Sequence, residues 1–144
     1  MSRVADLLDS LTIKGELYEK FPNDEVRCFA WGHRCLIRPS KRGICKVRLN
    51  KDGELFVPWG YVSGLQADPI EKKPFYHILS GSDALTFGML GCNFHCSFCQ
   101  NYLTSQVLRD PASDVAVRLV RRISPEQIIS YAKQCGASVI ASSY

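Results

Sequence analysis

Ala84-Leu-Thr-Phe-Gly-Met-Leu90, then Gly91, then Cys92-Asn-Phe-His-Cys96-Ser-Phe-Cys99 is the stretch that decides the architecture. The apolar run is short and is bounded by Gly81-Ser-Asp83 and Gly91, which predicts a buried parallel strand. The cysteine loop then leaves the carboxyl end of that strand, the edge at which α/β folds place their chemistry. Three thiols in eight residues gain nothing as packing, and a bound metal centre explains them. A structural zinc site closes with four protein ligands, and a ferredoxin-type cluster takes four cysteines. Here there are three, spaced x3 then x2. A 4Fe-4S cube held by three cysteines leaves one iron without a protein ligand, and an open position on a metal is where a small molecule coordinates.

Downstream, Ser124-Pro-Glu-Gln127 combines an N-cap serine, proline at N1 and glutamine at N3, and so predicts a helix start. Ile128, Ile129, Ala132 and Cys135 keep one apolar face, on which Cys135 is expected as a buried, unreactive thiol, and Gly136 stops the helix. Ser138-Val-Ile-Ala141 begins a second short strand. Strand, cysteine loop, helix and strand make one βαβ unit. Residues 103 to 123 alternate only in part and read as loop or irregular strand.

The C-x3-C-x2-C spacing, with Phe98 before the last cysteine, resembles the signature of the radical S-adenosylmethionine (radical SAM) superfamily. Cys99-Gln-Asn101 is similar to the signature region of pyruvate formate-lyase activating enzymes. Asp68-Pro-Ile-Glu-Lys-Lys-Pro74 followed by Phe75-Tyr-His77 resembles the lead-in of the radical SAM member of the AmmeMemoRadiSam group, and the likeness covers roughly Cys28 to Tyr144. The resemblance implies a 4Fe-4S cluster on Cys92, Cys96 and Cys99, whose open iron chelates S-adenosyl-L-methionine. It implies reductive cleavage of SAM to a 5′-deoxyadenosyl radical that abstracts hydrogen from a substrate, a protein in the activating enzymes. Flavodoxin or ferredoxin is the implied reductant. The resemblance places Phe98 to pack beside the adenine as a cofactor-binding residue, with ordinary core as the competing reading, Gly91 to turn the backbone tightly into the loop, and Asn101 to brace the loop or cap a helix or turn. No catalytic side chain is assigned. The implied fold is α/β, the start of a partial (β/α) barrel preceded by a small β-rich, cysteine-containing module. A complete (β/α)8 barrel needs about 200 residues or more, so the chain is expected to be a truncated copy, ending before an Asn-Glu-Pro segment that helps hold the SAM amino group.

Working outward to the N-terminus, Val4, Leu7, Leu8 and Leu11 take the spacing of one apolar helical face, and Phe21-Pro-Asn-Asp24 marks a turn. Cys28, His33, Cys35 and Cys45 form a second group with the composition of a Cys3His zinc site, although neither half shows a C-x2-4-C clamp. The competing reading is buried free cysteines or the relic of a lost site. Trp31 stands where the resemblance implies another cysteine. Arg38, Lys41, Arg42, Lys46 and Arg48 line the same region as a solvated face, with an acidic partner as the alternative. Ile44 to Leu49, the turn Asn50-Lys-Asp-Gly53, and Leu55 to Leu65 predict a hairpin. Gln66 to Ser82 reads as a connector, with His77 a surface or core histidine. The expected parts are 1-24 (helix and lead-in), 25-82 (β-rich cysteine module and connector) and 83-144 (first βα units of the barrel).

With 144 residues, 46% hydrophobic and 22% charged, the chain has the composition of a globular protein. Its net charge of +4 is too mild to argue for nucleic acid. No apolar run is long enough to span a membrane, and Met-Ser-Arg-Val-Ala-Asp6 lacks the apolar core of a secretion signal, so a reducing, cytoplasmic location is expected. In that setting seven cysteines point to metal or inert thiols before disulfides. Two rivals to the enzymatic reading are a non-enzymatic metal module, with zinc at both cysteine groups and nucleic acid on the basic loop, and an inert fragment that keeps the signature without turnover.

Overall fold

The computed structural model describes residues 3–143, which form a mixed α/β fold rich in short strands with few helices. The chain divides into two compact units, residues 1–59 with 90–117, and residues 60–89 with 118–144.

The first unit begins with α1 (Arg3–Ser10), whose apolar spacing places Val4, Ala5 and Leu8 in the core, followed by buried Leu11. The strands β1 (Thr12–Lys14), β2 (Tyr18–Lys20), β3 (Val26–Cys28), β4 (Leu36–Ile37), β5 (Leu49–Lys51) and β6 (Glu54–Pro58) build two antiparallel three-stranded sheets, β1-β6-β5 and β2-β3-β4. A hairpin forms within the expected span, but both arms are shorter than read: the first is confined to β5 because residues 43–48 double back in turns, and the second ends at Pro58, Leu65 lying in a later strand. Lys51 pairs with Glu54 across Asp52-Gly53, both at positive φ (52° and 74°), the two-residue turn whose twist matches the strands it joins. A small core of Val26, Cys28, Ile37 and Leu55 sits between the sheets. Asn50 is fully buried there and fully used: its amide donates to Asp24 O (2.6 Å) and Ile37 O (2.8 Å), and its carbonyl accepts from Gly53 N–H (3.0 Å). A buried amide left unpaired would cost about 1–3 kcal/mol, so this side chain fixes the relation of β5 to β4. After the cysteine loop the unit adds a single helical turn, α2 (Tyr102–Ser105).

The second unit holds β7 (Tyr61–Val62), β8 (Gly64–Pro69), β9 (Asp83–Gly88), β10 (Arg121–Arg122), α3 (Pro125–Gln134) and β11 (Val139–Ser142). The expected strand is β9, with Ala84, Leu85, Thr86 and Gly88 buried. It pairs in parallel with β11, from Val139 opposite Ala84 to Ser142 opposite Phe87, and α3 makes the crossover, so the βαβ unit read from the sequence is present. The connector expected from Gln66 begins instead inside β8, which pairs antiparallel with β9 from Gly64–Gly88 to Pro69–Asp83. A strand buried on both faces needs a hydrogen-bonding partner on each edge, and Pro69 is tolerated because it lies at the strand's end. Residues 103–123 fold as α2, a 3₁₀ stretch over Pro111–Leu119, and β10, which pairs with β7.

Helix α3 follows its sequence signals. Ser124 Oγ accepts from Gln127 N–H (3.3 Å) while Gln127 Oε1 accepts from Ser124 N–H (2.8 Å), a complete capping box. At the other end Gly136 takes φ +70°, Ala137 N–H donates to Ala132 O (2.9 Å) and Gly136 N–H to Lys133 O (3.3 Å), which is the Schellman closure. Cys135 departs from expectation. As the C-cap residue it has left the apolar face that buries Ala132, and its thiol is exposed. Among the described residues no helix is long and apolar enough to cross a membrane.

Candidate metal centre

The cysteine loop follows β9 in the chain and belongs to the first unit, where Gly91 anchors its start. Gly91 has φ +90°, and a Cβ at this position would lie 2.7 Å from both methyls of Val47 and 2.8 Å from Cys45 O. Only glycine satisfies both demands. Its N–H donates to Thr104 O (2.9 Å), tying the loop's entry to α2.

Cys92, Cys96 and Cys99 are free thiols, each half-buried. Phe94 N–H points at Cys92 Sγ (3.4 Å), Cys99 N–H donates to Cys96 O (3.2 Å) to close a turn, and Cys99 Sγ lies 3.3 Å from Ser105 Oγ. Among the described residues, no three His, Cys, Asp or Glu side chains are gathered closely enough to hold a metal ion. The chemistry of the donor set nonetheless fits a cluster: three thiols on one loop, one already facing a backbone N–H of the kind that sets the potential of an iron–sulfur centre and one beside a serine hydroxyl.

Sequence reasoning missed the residues that brace this loop. The Arg109 guanidinium donates to Cys92 O (2.9 Å), to Phe94 O, to Ile44 O and to Gln106 Oε1 (3.1 Å). Gln106, almost wholly buried, donates to Ser105 Oγ (3.0 Å) and Phe94 O (3.4 Å). One arginine thus joins both halves of the loop's first segment to the chain just before Cys45. The His33 ring meets Phe94 edge-on, with centroids 6.0 Å apart. Nothing in the pattern Ser105-Gln106-Val-Leu-Arg109 announces this role, since the partners are carbonyls distant in sequence. Just beyond, the Tyr102 hydroxyl donates to Asp110, and that hydrogen bond holds the phenol above and the carboxyl below their ordinary ranges.

The other expected residues scatter. Phe98 is 83% exposed and so is no part of the core; it stands free on the loop. Asn101 occupies the N-cap position of α2, but its side chain makes no cap hydrogen bond; its backbone carbonyl accepts from Ser105 N–H (2.9 Å). His77, in the second unit, is exposed. In the upstream cysteine group, Cys28 is core beside Val26, Ile37 and Leu55, with Arg48 Nη1 3.5 Å from its sulfur, and Cys45 is buried too. Cys35 packs against the same core, and the Trp31 ring lies under the Arg48 guanidinium at 4.8 Å.

No protein-family model and no solved structure matches the chain. An uncharacterized protein of Methanocaldococcus jannaschii is 35% identical over 128 residues, a match that takes in 88% of this chain and 37% of the relative's length. The chain therefore spans little more than a third of the curated relative it matches.

Proposed function

We propose that Cys92, Cys96 and Cys99 hold a 4Fe-4S cluster at which S-adenosyl-L-methionine binds and is reductively cleaved, and that the βαβ unit is the opening of a radical SAM-type barrel. The observation that carries the proposal is the three-thiol loop itself: free, half-buried cysteines at x3 and x2 spacing, next to Gly91, which only glycine can fill. A cluster held by Cys92, Cys96 and Cys99 would supply the one-electron reduction that cleaves the S–C5′ bond of SAM and so the hydrogen-abstracting chemistry of the family it resembles. The chain's own residues have three tasks. Arg109 holds the carbonyls of Cys92 and Phe94 so that the loop keeps one shape as its thiols are deprotonated by metal. Ser105 Oγ donates to the Cys99 thiolate, and Phe94 N–H to the Cys92 thiolate, spreading the negative charge. Phe98, exposed beside Cys99, offers an aromatic face to the adenine. A cytoplasmic setting, a flavodoxin- or ferredoxin-like reductant and a protein substrate belong to the same proposal.

The test is electron paramagnetic resonance of anaerobically reconstituted, dithionite-reduced protein with and without SAM, paired with assay of 5′-deoxyadenosine. A cluster signal that shifts on adding SAM, with deoxyadenosine released, is the expected result. A signal indifferent to SAM, with no deoxyadenosine, refutes turnover by this chain even where iron is retained.

A further inference from the structure

The first unit also holds a groove whose lining is unlike the chemistry of the thiols. The groove, of about 850 Å³, opens beside α1 and the β1-β6-β5 sheet, within the range of small-molecule sites. Its wall carries four cations, Lys41, Arg42, Lys46 and Lys51, against one carboxylate, Asp9. That carboxylate is already neutralised: Arg42 Nη2 lies 2.5 Å from Asp9 Oδ1, and Arg42 Nη1 donates to Lys46 O (3.1 Å). The arginine is thereby a fixed strut, and among the described residues the ammonium groups of Lys41 and Lys46 have no carboxylate partner. Lys46 also holds φ +66°, uncommon for a lysine, in a turn closed by its N–H donating to Gly43 O (2.9 Å). Phe56 lines the groove with its ring half-buried and Lys51 Nζ 5.6 Å above the centroid.

We propose that this groove binds a nucleoside polyphosphate, its phosphates against Lys41 and Lys46 and its ring system over Phe56, where it takes the place of the Lys51 ammonium. Free ammonium groups, compact charges with three rotatable donors, suit phosphate oxygens; a carboxylate ligand calls for a guanidinium fork, and the only one here is committed to Asp9. Two ammonium groups without a carboxylate partner, in a groove that also presents one aromatic ring, match a ligand with an anionic end and a flat end. The site shares no residue with the cysteine loop, so its failure leaves the cluster proposal standing, and the reverse.

Titration calorimetry on the intact chain with ATP, inorganic tripolyphosphate, adenosine and a glutamate-rich peptide tests it. ATP is expected to bind saturably and more tightly than tripolyphosphate, with adenosine far weaker. Lys41→Gln with Lys46→Gln is expected to weaken ATP at least about tenfold with the melting temperature unchanged, while Lys133→Gln on α3 leaves binding as it was. Absence of ATP binding, or binding that the double substitution does not weaken, overturns the proposal. So does preference for the glutamate peptide, and equal affinity for ATP and tripolyphosphate removes the ring seat.

Discussion

Single residues hold the cysteine loop in place, and their failures should be distinguishable. Gly91→Ala adds a Cβ against Val47 and Cys45 O at a positive φ. It should cost about 2 kcal/mol or more in urea unfolding, and an unchanged midpoint would show that the close approach is not real. Arg109→Lys keeps the charge but not the fan of donors that reaches Cys92, Phe94 and Ile44. A loss of about 1–3 kcal/mol is expected, with faster hydrogen exchange confined to the loop; wild-type exchange would deny Arg109 its bracing role. Elsewhere, Asp68 accepts from Lys72 at 2.7 Å, with Lys73 at 3.6 Å, and these partners lower its pKa. A lowered folded pKa gives stability that is present above the ordinary carboxylate value of about 4 and lost as pH falls through the folded value. Asp68→Asn should therefore flatten the acid limb of the stability profile, and a mutant with the same acid limb would contradict the pairing.

At the level of elements, what was legible in the sequence was what is decided locally. Ser124-Pro-Glu-Gln127 specifies its capping box within four residues, which formed as read, and the turn read over Asn50 to Gly53 formed on Asp52-Gly53 alone, with Asn50 and Lys51 in β5. Ser124→Ala should remove about 1 kcal/mol from the unfolding free energy, and Gly136→Ala a comparable amount because its φ is +70°. If neither moved the denaturation midpoint, α3 would not be held by its ends. Features set by distant partners were not legible. β8 exists because β9 needs a neighbour on its second edge, and its terminal proline and polar residues disguised it as a connector. The same blindness hid Arg109 and Gln106, whose partners include Ile44, far back in the chain. Cys135 was placed by helical periodicity one residue past the helix's last buried turn, where the cap turns it to solvent.

Across the molecule, the cysteine loop stands in the unit that also contains the N-terminal sheets, while the strand that precedes it lies in the other. Its surroundings are therefore drawn from the cysteine-bearing N-terminal segment, through Val47, Ile44 and His33, which no pattern around Cys92 announces. Four cysteines outside the loop have ordinary structural accounts or none, and the three in the loop carry the account. It is tested most directly by the iron and acid-labile sulfide retained per chain after anaerobic reconstitution, in the wild type and in Cys96→Ala. About four of each in the wild type, and a stable cluster lost in the variant, is the expected result; zinc in place of iron, or iron loading unaffected by the substitution, would contradict it.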